Sequence, residues 1–219
     1  MFGVKITDIV SDSFRYAASD WKLLLNSGFF IICGILILPI FLVLGYFFSV
    51  IRETSNDNYD LPEFINWGEL IINGIKSFLL FLGYYSIPLV LICYWGMSIL
   101  ICITTGYYTE FIQYTVLTIL VSIAIISFIF PIGLVLLDVS GSIKTSFNLK
   151  RVFKLISNIG WFKYILWYII MFIFALIFGS IILLLLNGPF IIILITCLVI
   201  VPFVFLFFNR ALGLIYAYE

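Results

Sequence analysis

The stretch that decides the fold is residues 164–208, which read YILWYIIMFIFALIFGSIILLLL, then NGP, then FIIILITCLVIVPFVFLFF. The two apolar runs contain no Asp, Glu, Lys or Arg. A helix needs about 20 apolar residues to cross the roughly 30 Å hydrocarbon core of a bilayer, and Asn-Gly-Pro favours a tight turn. The stretch therefore predicts two membrane-spanning helices that form an antiparallel hairpin.

The composition of the whole chain indicates a membrane protein. Of its 219 residues, 64% are hydrophobic and 10% are charged, whereas about 25% of the residues in a soluble domain are charged. The formal net charge is zero, so we expect no basic surface for nucleic acid. The chain contains no histidine, which excludes Ser-His-Asp triads and metal sites that need imidazole ligands.

The apolar runs predict an all-α integral membrane protein with five to six transmembrane helices and two interfacial amphipathic helices. Residues 1–219 are expected to form a single membrane domain. The predicted spans cover residues 22–51, 115–137, 161–186 and 189–210. Residues 62–105 are interrupted at Gly83 and Pro88, so they form either one span or an interfacial and broken helix pair.

Two segments, residues 2–19 and 142–159, are amphipathic rather than uniformly apolar. In both, apolar residues recur at three- and four-residue steps, and charged residues occupy the other positions. Helices of this kind usually lie in the plane of the lipid headgroups. The alternative is that each helix packs on the protein's own surface.

The positions of lysine and arginine leave two topologies open. Positive residues concentrate in cytoplasmic loops, and both residues 2–22 and residues 144–163 are rich in Lys and Arg. Placing both segments inside requires an even number of crossings between them, but three spans are counted if residues 62–105 cross once. Either that stretch splits, which gives six crossings with both termini inside, or five spans place the N-terminus outside.

Two groups of residues are candidates for binding. Glu63, Trp67 and Glu69 surround a predicted helix start, where Asn66 is a good N-cap and Glu69 can close a capping box. The alternative is that Glu63, Glu69 and Lys76 line a polar vestibule. Tyr84 and Tyr85 lie beside the predicted helix break, where their hydroxyls could bind a neutral or lipid-like solute.

A third candidate is the basic part of the second amphipathic segment. It contains Lys144, Lys150, Arg151 and Lys154. Near an anionic leaflet, each such cation contributes about 1 kcal/mol of attraction, so we expect contact with anionic lipids. The same charges could serve only to fix the orientation of the chain. A homo-oligomer and a membrane-protein partner are both open expectations.

Several motifs along the chain form an ordered set. They are Pro62-Glu63-Phe64-x-Asn66-Trp67-Gly68-Glu69-Leu70 with Gly74, then Tyr85-Ser86-Ile87-Pro88, Pro131-x-x-Leu134, Gly141-Ser142 before Phe147-Asn148, and Arg210-Ala211-Leu212-Gly213. In this order they resemble the domain-of-unknown-function 4013 family, over nearly the whole chain. Asp138-Val139-Ser140 departs from the pattern, where a basic or aromatic residue is expected. The resemblance implies a multi-pass membrane protein of the kind found in archaea and some bacteria, and it implies no activity.

No catalytic, metal or cofactor site is predicted. The chain has no phosphate-binding glycine motif and no Cys-x-x-Cys pair, and its Ser and Thr residues lack a suitably placed base. We therefore expect a non-enzymatic protein of the cell membrane that acts in membrane organisation, assembly, or partner and lipid binding. The alternative is a small transporter or channel for a lipid or a weakly polar solute.

Overall fold

The structure is a computed structural model that describes residues 6–32, 37–56, 60–105 and 110–217. Within these ranges the regular structure is helical. The helices are α1 (Ile6–Ala17), α2 (Trp21–Ile32), α3 (Ile37–Ser55), α4 (Trp67–Thr105), α5 (Glu110–Ser140), α6 (Ile143–Ser146), α7 (Leu149–Ile159), α8 (Trp161–Leu186) and α9 (Phe190–Ala217).

Four of the described helices are long and apolar enough to cross a membrane. They include the stretches Trp67–Gly96, Gln113–Ser140, Trp161–Leu186 and Phe190–Ala217. With a rise of 1.5 Å per residue, each exceeds the roughly 30 Å hydrocarbon core. Only 6% of the most apolar part of α8 is buried, which is typical of side chains that face lipid. The α-helical membrane class is therefore supported, and the predicted five to six spans are not confirmed.

The structure differs from two of the predicted spans and agrees with the single-helix alternative for a third stretch. The predicted span 22–51 contains two helices, α2 and α3, and residues 33–36 between them lie outside the described part. Residues 67–105 form one helix with Pro88 inside it, not two helices separated at Gly83–Pro88, because membrane helices tolerate proline. The last predicted span, 189–210, continues to Ala217.

Glycine allows α3 and α4 to approach closely. A Cβ atom on Gly45 of α3 would overlap the carbonyl oxygen of Leu70, and one on Gly74 of α4 would overlap that of Phe41. Small residues of this kind let membrane helices bring their backbones together. Since Gly45 meets Leu70 and Phe41 meets Gly74, the two helices are antiparallel.

The remaining long helices also pair in an antiparallel manner. The Tyr164 hydroxyl of α8 donates a hydrogen bond to the Phe128 carbonyl of α5 over 2.6 Å. Between α8 and α9, Phe174 contacts Phe207 and Phe178 contacts Phe203. The turn at residues 187–189 joins this last pair, as the sequence predicts.

Helix α9 contains a π-helical turn at Thr196–Ile200. Pro202 lacks the N–H that would bond to the Leu198 carbonyl in a regular α-helix. The helix widens just before this proline, and Gly28 of α2 packs directly against the Leu198 carbonyl. The turn thus creates the surface that receives α2.

Both amphipathic helices turn their apolar sides toward the protein. In α1, Ile9 and Ala17 are buried, and in α7, Val152 and Ile156 are buried. All four belong to one hydrophobic core. This packing agrees with the alternative that these helices cover the protein's own surface, and their position at a membrane interface stays a prediction.

Candidate functional site

Polar residues gather where α3 ends. At this place α4 begins and α5 ends, and an ion pair joins Arg52 of α3 to Glu69 of α4, with 2.8 Å between Nη1 and Oε1. The two side chains are 53% and 55% exposed. An exposed pair of this kind contributes about 0–1 kcal/mol to stability, so it marks a polar surface rather than holding the fold together.

A first cleft, of about 440 Å³, lies on one side of this ion pair. Its polar lining comprises Ser49, Arg52, Glu53, Asp60, Glu63, Asn66 and Glu69. Two predicted site residues, Glu63 and Glu69, therefore share a cleft. Trp67 lies close by, is 55% exposed, and donates its indole N–H to the Phe64 carbonyl.

The predicted capping arrangement at Asn66 is replaced by another one. Asn66 has a positive φ of 59°, a conformation that Asn adopts more readily than most residues. The Glu69 carboxylate accepts from Arg52. The carboxylate that was expected to close the helix start thus connects α4 to α3.

A second cleft, of about 420 Å³, lies on the other side of the ion pair. It is lined by Phe48, Arg52, Glu69, Ile72, Asn73, Lys76, Leu137, Asp138 and Gly141. Glu69 and Lys76 meet here, whereas Glu63 belongs to the first cleft. The Lys76 ammonium group donates to the Gly141 carbonyl over 3.4 Å. This second cleft, which we call the polar cleft, contains two cations and two carboxylates.

An apolar crevice of about 410 Å³ follows deeper between the same helices. It is lined by Ile40, Leu44, Phe47, Phe48, Ile51, Ser77, Phe78, Phe81, Phe130, Leu134, Phe205 and Asn209. Phe48 belongs to both cavities. Along α3, α4 and α5, the lining therefore changes from charged to apolar with distance from the helix ends.

A buried arginine lies next to these clefts. Arg210 of α9 is 1% exposed. Its Nε atom is 3.0 Å from Oδ2 of Asp12 in α1, and its Nη1 atom donates to the Thr54 hydroxyl of α3 over 3.1 Å. Its guanidinium carbon lies 4.4 Å from the ring centre of Tyr16, which adds a cation–π contact. We call this group the Arg210 cluster.

Tyr16 stays neutral in the Arg210 cluster. Burial raises the pKa of the Tyr16 phenol, and this effect exceeds the opposing influence of Arg210. The neutral hydroxyl donates to the carbonyl of Asp60, which lines the first cleft. Tyr16 thus connects α1, α9 and the α3–α4 connection.

The sequence reasoning did not select the Arg210 cluster. One signal for Arg210 was present, because an arginine within an otherwise apolar helix usually faces a polar partner. The predicted span ends at residue 210, whereas the charge-free apolar run ends at residue 208. No local pattern could identify Asp12, which lies 198 positions away in the sequence.

Tyr84 and Tyr85 hold α4 against neighbouring segments. The Tyr84 hydroxyl donates to the Ser146 carbonyl over 2.6 Å, and its ring stacks on Phe147. Tyr85 packs against Phe130 of α5. A role of these two tyrosines in solute binding stays a prediction, since their visible contacts attach α6 and α5 to α4.

The basic residues of the second amphipathic segment lie together on the surface. Lys144, Lys150, Arg151 and Lys154 are all exposed. None of the four forms an ion pair with a carboxylate in the part of the chain that the structure describes. Exposed Phe153, Trp161 and Phe162 accompany them.

A family model described as "Protein of unknown function (DUF4013)" matches residues 28–187. The chain belongs to the DUF4013 family. This confirms the resemblance carried by the motifs at Pro62–Leu70 and beyond. No curated protein and no solved structure matches the chain.

The match to DUF4013 covers one part of the site and omits another. Residues 28–187 include the polar cleft and the four cations of the basic segment. Asp12, Tyr16 and Arg210 lie outside the matched range, while Thr54 lies within it. In this DUF4013 protein, the Arg210 cluster therefore attaches the helices outside the matched region, α1 and α9, to a helix inside it.

We predict that the two ion pairs differ in their contribution to stability. Asp12→Ala leaves the buried Arg210 guanidinium without its carboxylate and should lower the free energy of unfolding by about 3 kcal/mol. Arg52→Met should lower it by at most about 1 kcal/mol, because that pair is exposed. Unfolding in mixed micelles with increasing dodecyl sulfate measures both. An equal loss of unfolding free energy in the two variants would contradict the conclusion that the Arg210 pair stabilises the fold more than the Arg52 pair does.

Proposed function

We propose that this DUF4013 protein is a non-enzymatic, multi-pass protein of the cell membrane that acts in membrane organisation or assembly. In this proposal, the basic segment around α7 binds anionic lipid headgroups on the cytoplasmic side. The observation that carries it is the arrangement of α7, whose apolar side is anchored in the protein core while its cations stay exposed.

Contacts at the helix ends support a topology with both basic segments on one side. Asp12 and Thr54 bind the same Arg210 guanidinium. In this proposal, α1 and the end of α3 therefore lie at the same level of the membrane, and the chain between them returns to the level from which it starts. The start of α4 and the end of α5 meet at the polar cleft. In this proposal, α4 therefore crosses away from the side of the polar cleft and α5 crosses back to it. We therefore propose an even number of crossings between the two basic segments.

This pairing meets the charge rule without a split in α4. An odd count requires residues 22–51 to cross once, whereas in this proposal α2 and α3 form an outward and a returning helix. Lys and Arg in both segments then lie on the cytoplasmic side. Both five-crossing and split-helix topologies become unnecessary in this proposal.

We predict the sides of three positions in a variant that lacks the native cysteines. Thr7→Cys and Ser157→Cys should be protected from an impermeant maleimide in right-side-out vesicles, and Asn187→Cys should be labelled. All three native residues are exposed on the protein. Permeabilised vesicles provide the control for reactivity. External labelling of Thr7→Cys together with protection of Ser157→Cys would contradict the proposed topology.

The surface around α7 supports a contact with lipid headgroups. Leu149 and Phe153 are exposed beside Lys150, Arg151 and Lys154. Lysine and arginine attract anionic lipids, and aromatic residues favour the membrane interface. A segment that combines both on one surface fits a leaflet better than it fits bulk water.

We predict that neutralising this surface removes an anionic-lipid shell. The quadruple variant Lys144→Ala/Lys150→Ala/Arg151→Ala/Lys154→Ala should lower the enrichment of phosphatidylglycerol in polymer-extracted nanodiscs by about 10-fold or more, given about 1 kcal/mol per cation. High salt should lower the enrichment around the wild-type protein in the same direction. Lipid analysis by mass spectrometry measures both effects.

The matched control keeps the charge and changes the side chains. Lys144→Arg/Lys150→Arg/Lys154→Arg should retain the wild-type enrichment. Equal enrichment in the alanine variant and in this control would count against the lipid contact. The remaining interpretation would be that the four cations fix orientation alone.

A transport function at Gly83–Pro88 receives less support. The continuous course of α4 and the bond between Tyr84 and Ser146 leave no broken helix at that place. The proposal therefore assigns no solute pathway to this region.

A further inference from the structure

We propose that the polar cleft and the apolar crevice together bind one phospholipid with a zwitterionic headgroup that contains a phosphate and an ammonium. The headgroup would occupy the polar cleft, and an acyl chain would enter the crevice. This inference rests on the proposed function only in taking the chain as membrane-embedded. It concerns a different surface and a different lipid chemistry from the α7 segment.

The order of the two cavities matches the shape of an amphiphile. On α4, the polar cleft is lined by residues 69–76 and the crevice by residues 77–81. On α5, the cleft is lined near Asp138 and the crevice by Phe130 and Leu134. Each cavity has a volume of about 410–420 Å³, within the usual range of small-molecule sites. The two cavities therefore offer a charged end and an apolar end in the same order as the headgroup and the acyl chain of a lipid.

The charges of the polar cleft favour a zwitterion over a purely anionic headgroup. Within the described residues, Asp138 forms no hydrogen bond or ion pair, and the Lys76 ammonium group has only a long contact to the Gly141 carbonyl. Asp138 suits the ammonium of a ligand, and Lys76 suits its phosphate. Glu69 is already paired with Arg52, and an anionic headgroup could contact Lys76 but would bring no cation to Asp138.

Phe48 gives the two cavities a shared wall. It is buried, with 6% of its surface exposed, and it packs in a small cluster with Leu80, Tyr84 and Leu137. Because Phe48 lines both cavities, the glycerol region of the lipid would lie beside it in this proposal. The wall is thus apolar at the point where the ligand changes from polar to apolar.

The experiment measures lipid retention by native mass spectrometry of the full chain in detergent. Phosphatidylethanolamine and phosphatidylglycerol with the same acyl chains are added separately. The wild-type protein should retain phosphatidylethanolamine at least 5-fold better, in line with one to two compensated charges at an accessible site. Equal retention of the two lipids, or a preference for phosphatidylglycerol, would overturn the proposal.

Variants test the assigned charges. Asp138→Asn should abolish the preference between the two lipids, and Lys76→Gln should lower retention of both. The matched control, Asp8→Asn/Lys22→Gln, removes one acid and one base that are exposed on α1 and α2, and it should behave like the wild-type protein. Unchanged retention in both cleft variants would overturn the proposal.

A third comparison tests the crevice without altering the protein. Glycerophosphoethanolamine, which has the headgroup but no acyl chains, should fail to displace the bound lipid. Displacement by this soluble compound would overturn the role of the crevice. The α7 alanine variant separates the two proposals, since it should still retain phosphatidylethanolamine even where it loses the phosphatidylglycerol shell.

Discussion

The buried guanidinium of Arg210 constrains how the helices of this protein can be arranged. A charge that is removed from water must be compensated by close partners, and these come from Asp12, Thr54 and the ring of Tyr16. The three partners belong to α1 and α3, while Arg210 belongs to α9. One side chain therefore attaches the beginning of the chain and its last helix to the end of α3.

The arrangement of the other polar groups follows from this attachment. The end of α3 carries Arg52, which pairs with Glu69 at the start of α4, and the end of α5 closes the polar cleft through Asp138. The long helices leave this region and return to it in pairs. Charged residues are thereby concentrated at helix ends, and the long helices keep exposed apolar surfaces.

The sequence predicts the parts of this fold that depend on local patterns. Uniform apolar runs identify α5, α8 and α9, and three- to four-residue periodicity identifies the buried stripes of α1 and α7. Local patterns do not predict features that depend on partners far away in the sequence. The pairing of Arg210 with Asp12 needs a contact across 198 positions, and the polar cleft needs three helix ends in one place. The single apolar run at residues 22–51 also conceals two helices, because apolar residues continue through both α2 and α3, whether they are exposed or buried in the core.

The Asp12–Arg210 contact itself attaches α1 to α9. A double-mutant cycle with Asp12→Ala, Arg210→Met and the combined variant, monitored by unfolding in mixed micelles, tests it most directly. The combined variant should be more stable than the sum of the two single losses implies, with a coupling energy of about 1 kcal/mol or more. Strictly additive losses would contradict it.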